Sequence, residues 1–278
     1  AFKDGYSLTP VVLGAMLFAP EVEGRRRAYR DGVDFMATLV EGGKLRAGFD
    51  APGYPVYSAA LGAAVFSIPR NHARHPGARS VLVKTLRARQ LPSGGWGYTA
   101  SSRQPANLSS TLYAAGALRL AGVGPEDGAL KRARGFVFRC QNHPGDGGFF
   151  HSPELPDSNK AGAVTPGTYR SYGSMTADGA RALLRAGLAS DHPRVVAAGA
   201  WLDENFDPLH NPGDFPKSDE VRRESAWFYW VWSASHAMLQ LGRSGWERPL
   251  VRAVVARQRN DGAWANGYTE MREDDPIL

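Results

Sequence analysis

The chain has 278 residues, of which 43% are hydrophobic and 22% charged, a balance typical of a soluble globular domain. At this length it buries enough surface to fold without disulfides or metals, and its single cysteine, Cys140, excludes an intrachain disulfide. The net charge is +6, but the arginines are spread along the chain, which argues against nucleic-acid binding. The longest apolar run, residues 11–19, is too short for a transmembrane segment. No signal peptide is visible and the chain begins at Ala1, so we expect a soluble protein, cytoplasmic or exported after removal of a signal segment.

Five predicted helices carry little charge on any face, which predicts that they are buried. In chain order they cover residues 8–19, 57–68, 109–121, 174–188 and 225–241. An amphipathic, arginine-rich helix follows each of them, at residues 25–40, 78–90, 128–141, 194–205 and 246–258. Prolines near several helix starts and glycines at several helix ends agree with these bounds. No alternating run is long enough to predict a β-sheet.

A short motif recurs after three of the arginine-rich helices. It consists of a glutamine, a polar spacer, a serine or aspartate, a glycine, a second small residue and an aromatic residue, and it covers Gln90–Trp96, Gln141–Phe149 and Gln258–Trp264. Weaker echoes end at Phe49 and Phe206. The glycines permit a tight turn, the aromatic ring fills the seam between neighbouring helix pairs, and the glutamine bonds backbone at a helix end. We therefore predict a structural role for the motif.

Alternating apolar and arginine-rich helices pack most simply as a ring of inner helices within a ring of outer helices. The sequence thus predicts an all-α protein, an α/α toroid that forms a single domain over residues 1–278. Five helix pairs are visible. Either they close into a five-pair ring, or the native protein continues at both ends and completes an α6/α6 barrel, and we favour the second arrangement.

The three motifs resemble the QW-type repeats of the squalene and oxidosqualene cyclases and of the protein prenyltransferase β-subunits. The stretch from Arg170 to Gly179, with the sequence RSYGSMTADG, is similar to bacterial prenyltransferase/squalene-oxidase-repeat proteins. The resemblance spans nearly the whole chain and implies an α/α toroid with an isoprenoid-like ligand. It is specific for the fold, whereas a fold alone does not determine an activity.

The sequence departs from these families at both of their reaction centres. The D-x-D-D tetrad with which class II terpene cyclases protonate their substrate does not occur, and the nearest acidic pairs lie in polar segments. The Asp, Cys and His zinc ligands of protein prenyltransferases have only one weak counterpart, formed by Cys140, His143 and Asp146. These three residues lie on a repeat motif at the end of an outer helix. We therefore predict no cofactor, and zinc is not favoured.

The helix at residues 225–241 carries the aromatic side chains best suited to a cavity wall. Tyr229, Trp232 and His236 share one helical stripe, and we predict that Trp227 and Tyr57 complete the wall. Such surfaces stabilise carbocations or bind apolar polyenes. The alternative, which we favour slightly, is that the tryptophans wedge between inner and outer helices while His236 bonds a neighbouring group.

Asp178 is the only carboxylate near the start of an otherwise apolar inner helix, and with His236 it is a candidate catalytic residue. Desolvation at the mouth of a toroid would favour its protonated form and make it an acid. Tyr172 and Thr176 are its predicted hydrogen-bond partners and additional substrate-binding candidates. The alternative is that Asp178 forms an i,i+3 ion pair with Arg181 or stabilises the helix N-terminus.

The segment at residues 149–169 is polar and rich in glycine and proline, and it includes His151, Asp157, Asn159 and Lys160. Such a loop either gates the central opening of a toroid or decorates its surface.

Three functions fit these residues. The first is binding, with or without transformation, of an isoprenoid or other lipid in a central aromatic cavity. The second is a non-catalytic interaction scaffold on the same fold. The third is a carbohydrate-active enzyme, for which Asp178 and Glu224 are the only carboxylate pair that the sequence offers.

Overall fold

The computed structural model describes residues 9–20, 22, 24–40, 45, 54–99, 104–271 and 273–274. Within them the chain forms twelve α-helices and one small antiparallel hairpin. The helices are α1 (Thr9–Met16), α2 (Arg25–Thr38), α3 (Pro55–Ser67), α4 (Pro69–Arg74), α5 (Ala78–Ala88), α6 (Leu108–Leu120), α7 (Gly128–Arg139), α8 (Gly173–Arg185), α9 (Pro193–Asn205), α10 (Glu220–Glu224), α11 (Trp227–Gln240) and α12 (Glu247–Ala256). The strands are β1 (Ala163–Thr165) and β2 (Thr168–Tyr169). The chain divides into two compact units, Ala1–Arg134 and Gly135–Leu278.

The prediction of a mostly helical protein is confirmed, and each of the ten predicted helices is present. Two further helices, α4 and α10, were not predicted, because six and five residues are too few to show a helical period. The hairpin lies inside the predicted polar loop at residues 149–169. Within the described part of the chain, no helix is long and apolar enough to cross a membrane.

In the first unit, α3 is the central helix and packs against α1, α5 and α6. It is apolar on all sides, and Val56, Ala63 and Phe66 are among its buried residues. The arginine-rich helix α5 instead buries one face, through Leu82 and Leu86. This difference between the two helix types agrees with the alternation in the sequence.

In the second unit, α8 is the central helix and packs against α9 and α11. All residues from Gly173 to Leu183 are buried, and most of them are small, which allows close helix packing. The same stretch includes the charged pair Asp178 and Arg181. Since isolated charges are costly to bury, the groups that surround Asp178 and Arg181 determine whether the two side chains can be charged.

The glutamines of the first two motifs make the same hydrogen bonds, within the motif and to the next arginine-rich helix. Gln90 and Gln141 each donate from Nε2 to a carbonyl oxygen of their own motif, at 2.7 and 2.9 Å. Each also donates to a carbonyl oxygen in the first turn of the next arginine-rich helix, at 2.8 and 2.9 Å. The prediction that the glutamine bonds backbone at a helix end is therefore confirmed for both motifs.

The aromatic residues of these motifs are bound to the next apolar helix. Trp96 and Phe149 are fully buried, and the backbone N–H of each donates to a threonine hydroxyl, Thr111 and Thr176 respectively, at 3.0 Å. Each hydroxyl in turn donates to the carbonyl oxygen four residues earlier on its own helix. The motif therefore joins one helix pair to the next through both side-chain packing and backbone hydrogen bonds.

Candidate functional site

The candidate site lies where α8 and α11 pack together in the second unit, around the fully buried Asp178. The Tyr229 hydroxyl donates to Asp178 Oδ2 at 2.7 Å, and the Ser233 hydroxyl donates to Asp178 Oδ1 at 2.5 Å. Tyr229 and Ser233 are four residues apart on α11, so one face of that helix supplies both donors. Two hydroxyl donors compensate much of the cost of burying the carboxylate.

Arg181 completes this network one helical turn after Asp178. Its Nη1 lies 3.5 Å from Asp178 Oδ1 and donates to the Ser233 hydroxyl at 3.0 Å. Arg181 is as fully buried as Asp178, so the i,i+3 ion pair considered as the alternative for Asp178 is present. A neighbouring guanidinium and two hydroxyl donors stabilise the carboxylate anion rather than the acid.

The aromatic stripe of α11 covers the outer side of this ion pair. The Arg181 guanidinium lies 4.5 Å from the centre of the Trp232 ring, a cation–π contact. Trp232 in turn contacts Tyr229 and His236, with ring centres 5.8 and 5.1 Å apart. Trp232 remains 36% exposed, while Tyr229 and His236 are half-buried, so Trp232 is the accessible part of the stripe above a buried polar network.

His236 extends this surface without adding charge. Partial burial, assisted by the cations Arg181 and Arg185, lowers the pKa of His236 from 6.5 to about 4. The imidazole is therefore neutral at pH 7. Beneath the stripe, Asp178 pairs with Arg181.

Three further predicted site residues lie in packed regions instead of on this surface. Trp227 is buried, donates from Nε1 to the Pro208 carbonyl at 3.2 Å, and lies beneath the Arg257 guanidinium. Tyr172 is also buried. Thr176 bonds the motif backbone and the preceding turn, whereas the hydroxyl donors to Asp178 come from α11. Trp227 is therefore packed in the interior of the second unit, whereas Trp232 is accessible.

Tyr57, the predicted site residue of the first unit, belongs to a separate aromatic cluster. Its ring centre lies 6.0 Å from that of Tyr54, 6.1 Å from that of Tyr98 and 4.5 Å from that of Tyr113. Tyr57 and Tyr113 are on the apolar helices α3 and α6, which pack together. Tyr98 and Tyr113 were not predicted from the sequence, although Tyr98 follows a repeat motif by two residues.

Glu273 is a third functional residue that was not predicted from the sequence. Its carboxylate accepts hydrogen bonds from the backbone N–H groups of Phe228 and Tyr229, at 3.0 and 2.8 Å, and from Asn266 Nδ2 at 3.1 Å. It thereby caps the start of α11, which has no capping side chain of its own. Burial raises the pKa of Glu273 above its usual value. No local signal identifies a cap that lies so far along the chain.

The first half of the predicted polar loop is a closed, folded segment. The Ser152 N–H donates to Asn159 Oδ1 at 3.0 Å, and Asn159 Nδ2 donates to the Ser152 carbonyl at 2.9 Å. Next to these residues, burial lowers the pKa of His151 from 6.5 to about 3 and that of Lys160 from 10.5 to about 8. The segment therefore holds two basic groups, the buried His151 and the half-buried Lys160, that are costly to charge. Asp157 lies in the short 3-10 helix of the same segment.

We expect His151 to make folding sensitive to acid. In the unfolded chain His151 binds a proton near pH 6.5, whereas the folded protein delays this to about pH 3. The stability that neutral His151 contributes is thus complete above pH 6.5, and a loss on the order of 4 kcal/mol develops as the pH falls to 3. Urea denaturation across this range measures the loss. Subtracting the curve of His151→Gln isolates it from other titrations; identical pH slopes would contradict the prediction.

No metal centre forms from the weak zinc candidates. Cys140 is buried, and burial raises the pKa of its thiol. Asp146 Oδ1 instead accepts hydrogen bonds from the Gly148 N–H and the Ser171 hydroxyl, both at 2.9 Å. Throughout the described residues, which include His143, no three His, Cys, Asp or Glu side chains are grouped so that they could hold a metal ion.

The two carboxylates of the carbohydrate hypothesis each have a different partner. Asp178 is paired with Arg181, while Glu224 Oε1 lies 2.6 Å from His210 Nδ1. Neither arrangement resembles a pair of carboxyl groups that face each other across a cleft.

Part of the chain is similar to a known protein family. The model of the squalene-hopene cyclase N-terminal domain matches residues 71–141, which include the first repeat motif. No curated protein matches the sequence. Among solved structures, a variant of the type II terpene cyclase MstE from Scytonema aligns at 17% identity over 84% of this chain and 79% of its own, with a TM-score of 0.36, too low to carry an argument. Over residues 71–141 the match therefore confirms the predicted resemblance to the squalene cyclase superfamily.

Proposed function

We propose that this protein binds a neutral isoprenoid or similar lipid chain, and that Tyr229, Trp232 and His236 form the binding surface. The observation that carries the proposal is the accessible Trp232, whose ring is fixed from below by the buried Arg181. Accessible aromatic side chains with locked orientation bind apolar ligands at a small entropic cost. The proposal retains the predicted α/α toroid over residues 1–278, which the alternation of helix types in each unit supports.

The charge distribution favours a neutral ligand over a cationic one. One face of Trp232 is already occupied by the Arg181 guanidinium, so that face is not free to hold a ligand cation. Asp178 cancels that charge, and His236 is neutral at pH 7 because its pKa is lowered to about 4. The side chain of His236 therefore adds no charge to the aromatic stripe at pH 7. In this proposal Asp178 is a positioning residue, because it orients Tyr229 and Arg181.

The Tyr57 cluster supports the same function within the first unit. Four tyrosine rings joined through contacts with Tyr57, with Tyr54 among the exposed residues, form a second aromatic surface of the kind that binds apolar chains. The squalene-hopene cyclase match at residues 71–141 agrees with an isoprenoid as the ligand class.

The binding surface is tested with squalene in detergent micelles as the probe. Trp232→Ala is expected to weaken binding by about 30-fold, because truncation of a central tryptophan typically removes 2 kcal/mol or more. Trp264→Ala is the matched control, since Trp264 has a similar exposure of 38%, and it should bind as the wild type does. Equal effects of the two changes, or no saturable binding by the wild type, would contradict the proposal.

Asp178→Asn separates binding from catalysis and from the scaffold alternative. If Asp178 only positions its neighbours, this variant loses stability, binds squalene more weakly, and no cyclised product is found by mass spectrometry with either protein. A product that the wild type forms and Asp178→Asn does not would assign the acid role to Asp178. A wild-type protein that retains no lipid after purification and binds none would favour the interaction scaffold.

A further inference from the structure

Lys160, in the closed segment that follows the second motif, has an amine without a partner. The side chain is half-buried, and no residue that the structure describes forms a hydrogen bond or an ion pair with it. Lys131, by contrast, is exposed and pairs with Glu126 at 2.9 Å. Since a buried cation without a partner is costly, stability alone gives no reason for a lysine at position 160.

A fixed turn of the backbone presents this lysine. The Gly162 N–H donates to the Asn159 carbonyl at 2.9 Å, which makes Lys160 the second residue of a hydrogen-bonded β-turn. The side chain of Asn159 bonds the backbone of Ser152 in both directions, and the Arg170 N–H donates to the Gly162 carbonyl at 3.1 Å. Both ends of the turn are therefore held, so little backbone freedom is lost when Lys160 meets a ligand.

Three titratable or charged groups act on the amine through their charge: His151, Arg222 and Glu273. Burial, aided by the positive charge of Arg222, lowers the pKa of Lys160 from 10.5 to about 8, and Glu273 opposes this shift. His151 is neutral at pH 7, because its own pKa is lowered to about 3. About a quarter of the Lys160 amine is thus unprotonated at pH 7.5, against about 0.1% for a lysine in water.

An unprotonated amine without a partner is a nucleophile for carbonyl carbons. Its nitrogen adds to an aldehyde, and loss of water from the adduct leaves a C=N bond, an imine that water hydrolyses again. A protonated imine is a cation, and Glu273 supplies a carboxylate whose charge already acts on Lys160. Glu273 also accepts from the backbone N–H groups of Phe228 and Tyr229, so the amine lies near the first turn of α11, the helix that carries the aromatic stripe.

We propose that Lys160 forms a reversible imine with a lipid aldehyde, whose apolar chain contacts Tyr229 and Trp232. The amine selects an aldehyde over a hydrocarbon or an alcohol, and the aromatic side chains suit a long apolar chain. The placement of the chain rests on the proposed function, whereas imine formation by Lys160 does not. The step needs no oxidant or cofactor, because it exchanges a C=O bond for a C=N bond and releases water.

Imine formation is tested by trapping with sodium cyanoborohydride, which reduces a protonated imine to a stable amine. With 3-methylbut-2-enal at pH 7.5, peptide mass spectrometry should find Lys160 modified at least about 10-fold faster than the exposed Lys84. The larger neutral fraction of the Lys160 amine outweighs the weaker nucleophilicity of a less basic nitrogen. Lys160→Met, which removes an unpartnered amine, should fold normally and lose the fast adduct. Modification of Lys160 no faster than that of Lys84 would overturn the proposal.

A longer aldehyde tests where the chain lies. Citral carries the same conjugated aldehyde with five further carbons, and at low concentration it should modify Lys160 at least about 10-fold faster than 3-methylbut-2-enal does. Trp232→Ala should remove this advantage of citral, whereas the control Trp264→Ala should keep it. If both aldehydes react equally fast while squalene binding still depends on Trp232, the surface binds lipids without an aldehyde, and this proposal alone is overturned.

Discussion

Arg181→Met is expected to lower the free energy of unfolding by about 3–5 kcal/mol, because it leaves the Asp178 carboxylate buried without its cation. The two residues are almost completely excluded from solvent, so water cannot replace the lost partner. Methionine keeps the apolar length of the side chain, which limits the change to the charge. Urea denaturation with unchanged m-values measures the loss.

The double variant Asp178→Asn/Arg181→Met tests whether the pair acts as a unit. Asparagine keeps one oxygen that accepts from one of the two hydroxyls, its Nδ2 group can donate to the other, and no charge remains buried. We therefore expect the double variant to be more stable than the sum of the two single losses predicts, by about 2 kcal/mol. The exposed i,i+4 pair Arg27–Asp31, at 3.6 Å, provides the control. Arg27→Met should cost less than about 1 kcal/mol. Strict additivity of Asp178→Asn and Arg181→Met would mean that the ion pair is not formed.

The sequence predicted the helices well, because their signal is periodic. Apolar residues at every helical turn define α5, and the absence of charge defines α3, before any tertiary contact is known. The motif contacts also followed from residue type, since a glutamine, two glycines and an aromatic side chain each suit one role in a tight turn. The short helices α4 and α10 lack enough residues for a period.

The site was predicted only in part, because its geometry depends on how α8 and α11 face each other. The sequence identified Asp178 as a candidate acid or as the partner of Arg181, but assigned its hydrogen bonds to Tyr172 and Thr176. The actual donors, Tyr229 and Ser233, lie more than fifty residues away. Likewise, the helical period places Trp227 and Trp232 on different faces of α11 but does not indicate which of the two residues faces the core. Glu273 caps α11 from a distant segment, which no local pattern reveals.

The second motif packs closely against α8 because residue 179 of that helix is a glycine. Gly179 lies beneath the ring of Phe149, and a Cβ atom at this position would be only 2.3 Å from the ring carbon Cγ. The ring cannot easily move away, because Phe149 is fully buried and its N–H is bonded to Thr176. Close packing of this kind transmits strain to its surroundings.

Gly179→Ala should therefore destabilise the protein by about 2–4 kcal/mol, since overpacking in a rigid core costs more than the better helix propensity of alanine gains. Gly135→Ala is the matched control: Gly135 lies in the interior of α7, and a Cβ atom there would meet nothing within 4 Å. That change should raise the free energy of unfolding by up to about 1 kcal/mol. If the two variants change the free energy of unfolding in opposite directions, contact with Phe149, and not backbone flexibility, is the reason that position 179 requires glycine. If both variants are stabilised, the aromatic ring does not pack on α8, and the motif does not fix the register of the helix that carries Asp178.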